Sequence, residues 1–192
     1  MTDHGKHVRL DVIGALERLT RGLESEGYVY AVGGAVALSY WAVPRATLDI
    51  DVGVDVDTLR LPDLAAALKR IGCELDEQSV LQAGERGDFG ARLGGIRIDV
   101  FLPVHALAQA ALERRLQVPF GDSLLWIQSA EDLVLLKLLF GRTKDYADLE
   151  RLFAAHGDTM DHGYLERWVA DLFGADDERA LRFRQLAARS AV

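Results

Sequence analysis

Residues 48–54, Leu-Asp-Ile-Asp-Val-Gly-Val, put an apolar side chain at alternate positions and a carboxylate at two of the positions between. That alternation has the period of a strand with one buried face. On such a strand Asp49 and Asp51 project to the same side, and Leu48, Ile50 and Val52 are expected to face the core. Two carboxylates this close repel each other, and burying them unpaired is costly. A divalent cation between them, Mg²⁺ or Mn²⁺ in an oxygen-only ligand set, removes the conflict. Asp99 is a third candidate: Ile96, Ile98 and Val100 define one strand face and leave it on the other, where it is either solvent-exposed or functional. Asp55 and Asp57 read as a solvated strand end or turn. An EF-hand is disfavoured, because Arg60 stands where a calcium loop counted from Asp49 needs Glu.

Around that strand the pattern predicts an α/β half followed by helices. A helix is expected over 8–24, with Val12, Ile13, Leu16, Leu19 and Leu23 on its apolar stripe. A short strand over 28–32 ends at Gly33-Gly34, and a buried helix over 35–41 closes before Pro44. Pro62 opens a helix over 63–71, and Gly94-Gly95 joins strands near 89–93 and 96–102. A helix over 106–114 and a hairpin around Gly121-Asp122 lead to Ser129, whose Ser-x-x-Asp spacing is that of a capping box. Helices are then expected over 130–140, 144–155, 161–173 and 177–190. The reading is an α+β chain with a mixed sheet over 1–128 and a small helical bundle over 129–192.

Composition sets the limits. Half of the 192 residues are hydrophobic, and 22 Lys and Arg against 30 Asp and Glu leave a net charge of −8. That excludes disorder and argues against a broad nucleic-acid-binding surface. One cysteine, Cys73, excludes an internal disulfide. No apolar run is long enough to span a membrane, and the first residues carry no signal-peptide core. A cytoplasmic location is expected.

Several other residues invite a functional reading beside a structural one. Gly33-Gly34 before a buried helix is either a tight turn or a close backbone approach to a phosphate. Lys137 is the one charge in an almost wholly apolar helix and must snorkel, pair or meet an anion. Arg45 is a loop residue or a phosphate ligand. Lys144 has the spacing to pair with Asp148 on a helix surface. Arg179, Arg182, Arg184 and Arg189 form a stripe, solvated or bound to a partner. His4, His7, His105, His156 and His162 have no metal-ligand spacing.

Val32-Gly33-Gly34, the run 44–51 ending in Asp49-Ile50-Asp51, and Asp99 together resemble the nucleotidyltransferase superfamily, the DNA polymerase β-like fold. With Glu131-Asp132-Leu133, Lys137-Leu138-Leu139 and the run 142–149, they more narrowly resemble AbiEii-like nucleotidyltransferases, which include toxins of toxin–antitoxin and phage-defence systems. The resemblance covers residues 28–152. It implies transfer of a nucleoside monophosphate from an NTP to a hydroxyl on tRNA, protein or a small molecule such as an aminoglycoside. Asp49 and Asp51 would bridge two metal ions, with Asp99 as the third ligand. Gly33, Gly34, Arg45, Lys137 and Lys144 would serve the nucleotide, and a cognate antitoxin is a possible partner. A non-catalytic nucleotide-binding module of the same fold is the alternative.

Overall fold

The structure is a computed structural model that describes residues 11–190; the start of the helix expected from residue 8, with His4 and His7, lies outside them. Helix α1 (Val12–Ser25) begins at Asp11, whose side chain accepts from the Gly14 N–H at 2.7 Å. Ala15, Leu16, Leu19 and Leu23 make its buried stripe, whereas Ile13 falls off that stripe and is exposed. Strand β1 (Tyr30–Val32), helix α2 (Gly34–Trp41) and strand β2 (Asp49–Val54) follow. Leu48 corrects the alternation read from sequence. It is 83% exposed, because the strand begins one residue later and Leu48 lies in the preceding bend.

Helix α3 (Leu61–Ile71) starts with Pro62 in its first turn and stops at left-handed Gly72. Next come β3 (Glu74–Leu75), α4 (Glu77–Arg86), β4 (Asp88–Leu93) and β5 (Ile96–Phe101). The sequence reading left α4 out, because EQSVLQAGER buries only Val80 and Ala83. Its caps were nevertheless present: Asp76 accepts from the N–H groups of Gln78 and Ser79, and Gly87 closes the helix at φ +81°. Helix α5 (Ala106–Glu113) and the hairpin β6 (Leu116–Phe120) and β7 (Ser123–Ile127) complete the first part.

The seven strands form one mixed sheet in the order β3-β4-β5-β2-β1-β7-β6. β2 lies centrally, parallel to β5 and antiparallel to β1. Its Ile50, Val52 and Val54 are fully buried. On the Asp49–Asp51 face, Gly53 lies beside Leu112 of α5, whose Cδ2 would meet a Cβ there in ordinary contact at 3.5 Å.

Four helices end the described chain: α6 (Ala130–Phe140), α7 (Thr143–His156), α8 (His162–Leu172) and α9 (Glu178–Ser190). Ser129 caps α6, accepting from the Asp132 N–H and donating to the Asp132 carboxylate at 2.6 Å. α6 is apolar almost all round because it is surrounded, touching α2, α5, α7, α8 and α9. The Tyr164 hydroxyl of α8 donates to buried Asp132 at 2.5 Å and ties those two helices together. One cluster of buried apolar side chains runs from Ala15 through the sheet to Leu186. Among the described residues no helix is long and apolar enough to cross a membrane.

Candidate active site

The parallel pairing of β2 with β5 sets Asp51 opposite Asp99 and Asp49 opposite Arg97. Side chains at paired positions share a sheet face, so the three carboxylates expected to act together stand on one side of two neighbouring strands. They border a cleft of about 360 Å³ that includes Gly33, Gly34, Lys137 and Lys144 in its walls. Such a volume suits a small-molecule site.

Asp51 is the residue most shaped by this arrangement. Burial, then the charges of Asp49 and Asp99, push its pKa from the usual 3.8 up to about 6. The Gly33 N–H donates to the Asp51 carbonyl at 2.9 Å and so continues the β1–β2 ladder rather than facing a ligand. Gly34 has a different task. Its φ is +54°, and a Cβ there would collide with the Asp51 carboxylate. The second glycine therefore makes room for an acid side chain at the start of α2.

The outer two carboxylates are held by the chain itself. Asp49 accepts a hydrogen bond from the Thr47 hydroxyl. Asp99 accepts from Arg97, whose Nε and Nη2 lie 2.9 and 2.8 Å from the same oxygen, Oδ1. Among the described residues no set of three His, Cys, Asp or Glu side chains is already gathered as a metal site. The donor chemistry nonetheless fits a hard divalent cation: three carboxylates on one face, one of them raised in pKa by burial and by the other two.

The basic candidates divide into two kinds. Lys137 is only 4% exposed and neither snorkels nor stands alone: its Nζ lies 2.7 Å from Asp148 and 3.8 Å from Asp145. Arg45 also reaches Asp148, with Nε 3.1 and 3.3 Å from its two oxygens. Arg151 adds a third contact at 3.1 Å. Burial pushes the Asp148 pKa upward, but hydrogen bonds from Lys137 and Arg45 outweigh it, and the net shift is downward. The expected Lys144–Asp148 surface pair is thus replaced by a buried network. Lys144 itself is exposed at the cleft and makes no ion pair among the described residues; its charge acts on Asp51.

Sequence reasoning overlooked Arg97, Arg142, Arg86 and Phe140, which also line the cleft. Arg97 was legible in principle, since it sits two residues before Asp99 on the same strand face. Arg142 holds Asp145 at 2.7 Å, and Arg86 lies 3.4 Å from Asp88. Each cleft carboxylate outside the strand triad therefore has a cation from the chain. The C-terminal arginines are likewise largely engaged: Arg179 with Asp177, Arg182 with Glu150, and Arg184 with the Ala175 carbonyl.

No family model matches the chain, and neither does any curated protein. Solved structures do. An antigenic nucleotidyltransferase-like protein from Paracoccidioides brasiliensis matches with a TM-score of 0.53 at 16% identity, covering 91% of this chain and 92% of that one. ANT(2")-Ia in complex with adenylyl-2"-tobramycin matches with a TM-score of 0.52 at 14% identity, covering 93% and 96%. The chain has a nucleotidyltransferase-like fold, the class that the sequence resemblance implied.

Proposed function

We propose that this protein is a metal-dependent nucleotidyltransferase that moves a nucleoside monophosphate from an NTP to a hydroxyl acceptor and releases pyrophosphate. The observation that carries this reading is Asp51, half-buried beside Asp49 and Asp99 with its pKa raised to about 6, in a space that a Cβ at residue 34 would fill. A fold stabilises the ionised form of such a group poorly, so its place in a cleft points to a ligand. Asp49, Asp51 and Asp99 are the residues to hold Mg²⁺ or Mn²⁺. Bound there, the cation would neutralise the triphosphate and the departing pyrophosphate and make the acceptor hydroxyl more acidic.

The remaining work falls to the chain. The first turn of α2, from Gly34, offers backbone N–H groups that have no partner within the helix. Lys144 supplies the unpaired cation at the cleft, and Lys137 and Arg45 act through Asp148 to keep that wall in place. Asp99 orients the acceptor hydroxyl or takes its proton. The new oxygen–Pα bond forms as the bond from Pα to the pyrophosphate oxygen breaks. In this division residues 1–128 carry the reacting groups, and residues 129–192 contribute Lys137 and Lys144.

The acceptor follows from charge. Asp88 and Asp145 are already paired, so among the described residues the cleft wall offers a polycation no free carboxylate beyond the triad. This favours a neutral or anionic acceptor, such as an RNA end or a protein hydroxyl, and accords with the toxin reading of the AbiEii-like resemblance. Small-molecule adenylylation is a second reading, favoured by the fold shared with ANT(2")-Ia. Incubation with each α-labelled NTP, Mg²⁺ and pools of tRNA, protein and aminoglycosides separates these readings. Label is expected in RNA or protein and is lost in Asp51→Asn; label in tobramycin would select the second reading. A folded protein that labels nothing would contradict both.

A further inference from the structure

We propose that Arg97 is an internal cation that occupies Asp99 until a divalent ion displaces it, and that the freed guanidinium then binds a phosphate of the NTP. The inference rests on the nucleotidyltransferase reading above and adds to it a residue which that reading does not use. Strand β5 puts Arg97 and Asp99 two residues apart on one face, and the ladder sets Arg97 directly across from Asp49. Both of its contacts converge on a single oxygen of Asp99, so the guanidinium stands on the ligand a metal ion needs. Among the described residues Arg97 is the only cation bonded to the triad. Lys137 and Arg142 are engaged by Asp148 and Asp145, and Lys144 is unpaired.

Two further observations make this contact replaceable. The Arg97 side chain is 64% exposed, so the ion pair is wet, screened and weak. Its strong features, charge and a planar fork, are those that recognise phosphate. A divalent ion on Asp99 would repel the guanidinium, while a triphosphate in the same cleft would attract it; Arg97 already lines that cleft. The same side chain would thus compete with the metal before binding and assist the nucleotide afterwards.

The two halves are tested by Mn²⁺ binding alone and by binding of a Mn²⁺–NTP complex, in wild type, Arg97→Gln and Arg97→Lys, with Asp51→Asn as the reference for a lost site. The exposure of Arg97 predicts that both variants fold, and thermal unfolding verifies this. Arg97→Gln is expected to bind Mn²⁺ about three- to tenfold more tightly than wild type. Arg97→Lys, which keeps the charge without the fork, should tighten it less. The same Arg97→Gln protein is expected to bind Mn²⁺–NTP several-fold more weakly. A merely structural arginine would not tighten metal binding when removed. Unchanged or weaker Mn²⁺ binding in Arg97→Gln would overturn the proposal. Tighter Mn²⁺ binding with unaltered Mn²⁺–NTP binding would overturn its second half. Wild type that binds Mn²⁺ no better than Asp51→Asn would overturn the metal site itself, a failure distinguishable from the others.

Discussion

Asp148 on α7 is fully buried and Asp51 on β2 half-buried, and their proton affinities move in opposite directions. Asp148 has Lys137, Arg45 and Arg151 within hydrogen-bonding distance, and its pKa falls. Asp51 loses solvation and has the charges of Asp49 and Asp99 beside it, and its pKa rises. The first arrangement is complete within the chain and ties α6, α7 and the loop before β2 together. In the second no cation is bonded to Asp51 among the described residues, and the charges of Lys144 and Lys137 offset its acidic neighbours only in part. A buried acid with its own bases is satisfied within the fold, whereas a half-buried one among acids is the kind of group that a bound cation would stabilise.

The sharpest way to break this contrast is to remove Asp148. Asp148→Ala leaves Lys137 buried without its 2.7 Å partner, and loss of one member of a buried pair costs about 3–5 kcal/mol. Chemical denaturation measures it. Asp51→Asn should act in the opposite sense. A shift from 3.8 to about 6 corresponds to about 3 kcal/mol of strain in the ionised form, so the variant gains up to that amount at neutral pH in the absence of metal while losing transfer.

The pH dependences have opposite signs. The folded chain keeps the Asp51 proton up to about pH 6, whereas the unfolded chain releases it near 3.8. This residue's contribution is therefore most favourable below 3.8 and is lost as pH rises through 6. Asp148 contributes stability above 3.8 that is lost as pH falls through its lowered folded value. Metal-free wild type should lose stability between about pH 4 and 6 relative to Asp51→Asn, as thermal melts across that range would show.

Smaller effects refine the comparison. Gly34→Ala should cost about 1–2 kcal/mol through its left-handed backbone alone, and it pushes the Asp51 carboxylate from its place. The diagnostic result is a loss of cation binding greater than the loss of stability. Lys144→Ala should change stability by less than about 0.5 kcal/mol, since the side chain is exposed and unpaired, while weakening NTP binding in calorimetry.

The sequence carried a good deal of this contrast. Alternation at 49–54 put Asp49 and Asp51 on one side of their strand, and alternation at 96–101 set Asp99 off the apolar face of its own, because strand period depends only on local backbone geometry; their sharing one sheet face takes the parallel β2–β5 pairing. The apolar run around Lys137 showed that this lysine needs a partner. Its actual partners, Asp145 and Asp148, follow from how α7 folds back on α6, which side-chain period does not reveal. Lys144 and Asp148 have ideal helical spacing, yet tertiary contacts claim Asp148 from within. Gly33-Gly34 was recognisable as a turn, but the close approach of Asp51 to Gly34 is a contact across seventeen residues and appears only in three dimensions. Helix α4 was missed because its polar composition hides its period, although Asp76 and Gly87 marked both ends.

The most direct test of the central claim, that Asp51 awaits a cation, is the change in melting temperature on adding Mg²⁺ or Mn²⁺ to wild type and to Asp51→Asn at pH 7.5. A bound ion stabilises the folded state by mass action. Wild type, less stable without metal, should melt higher as the cation is added, while Asp51→Asn starts higher and stays where it is. Equal shifts in the two proteins, or no shift in wild type at millimolar cation, would contradict the account.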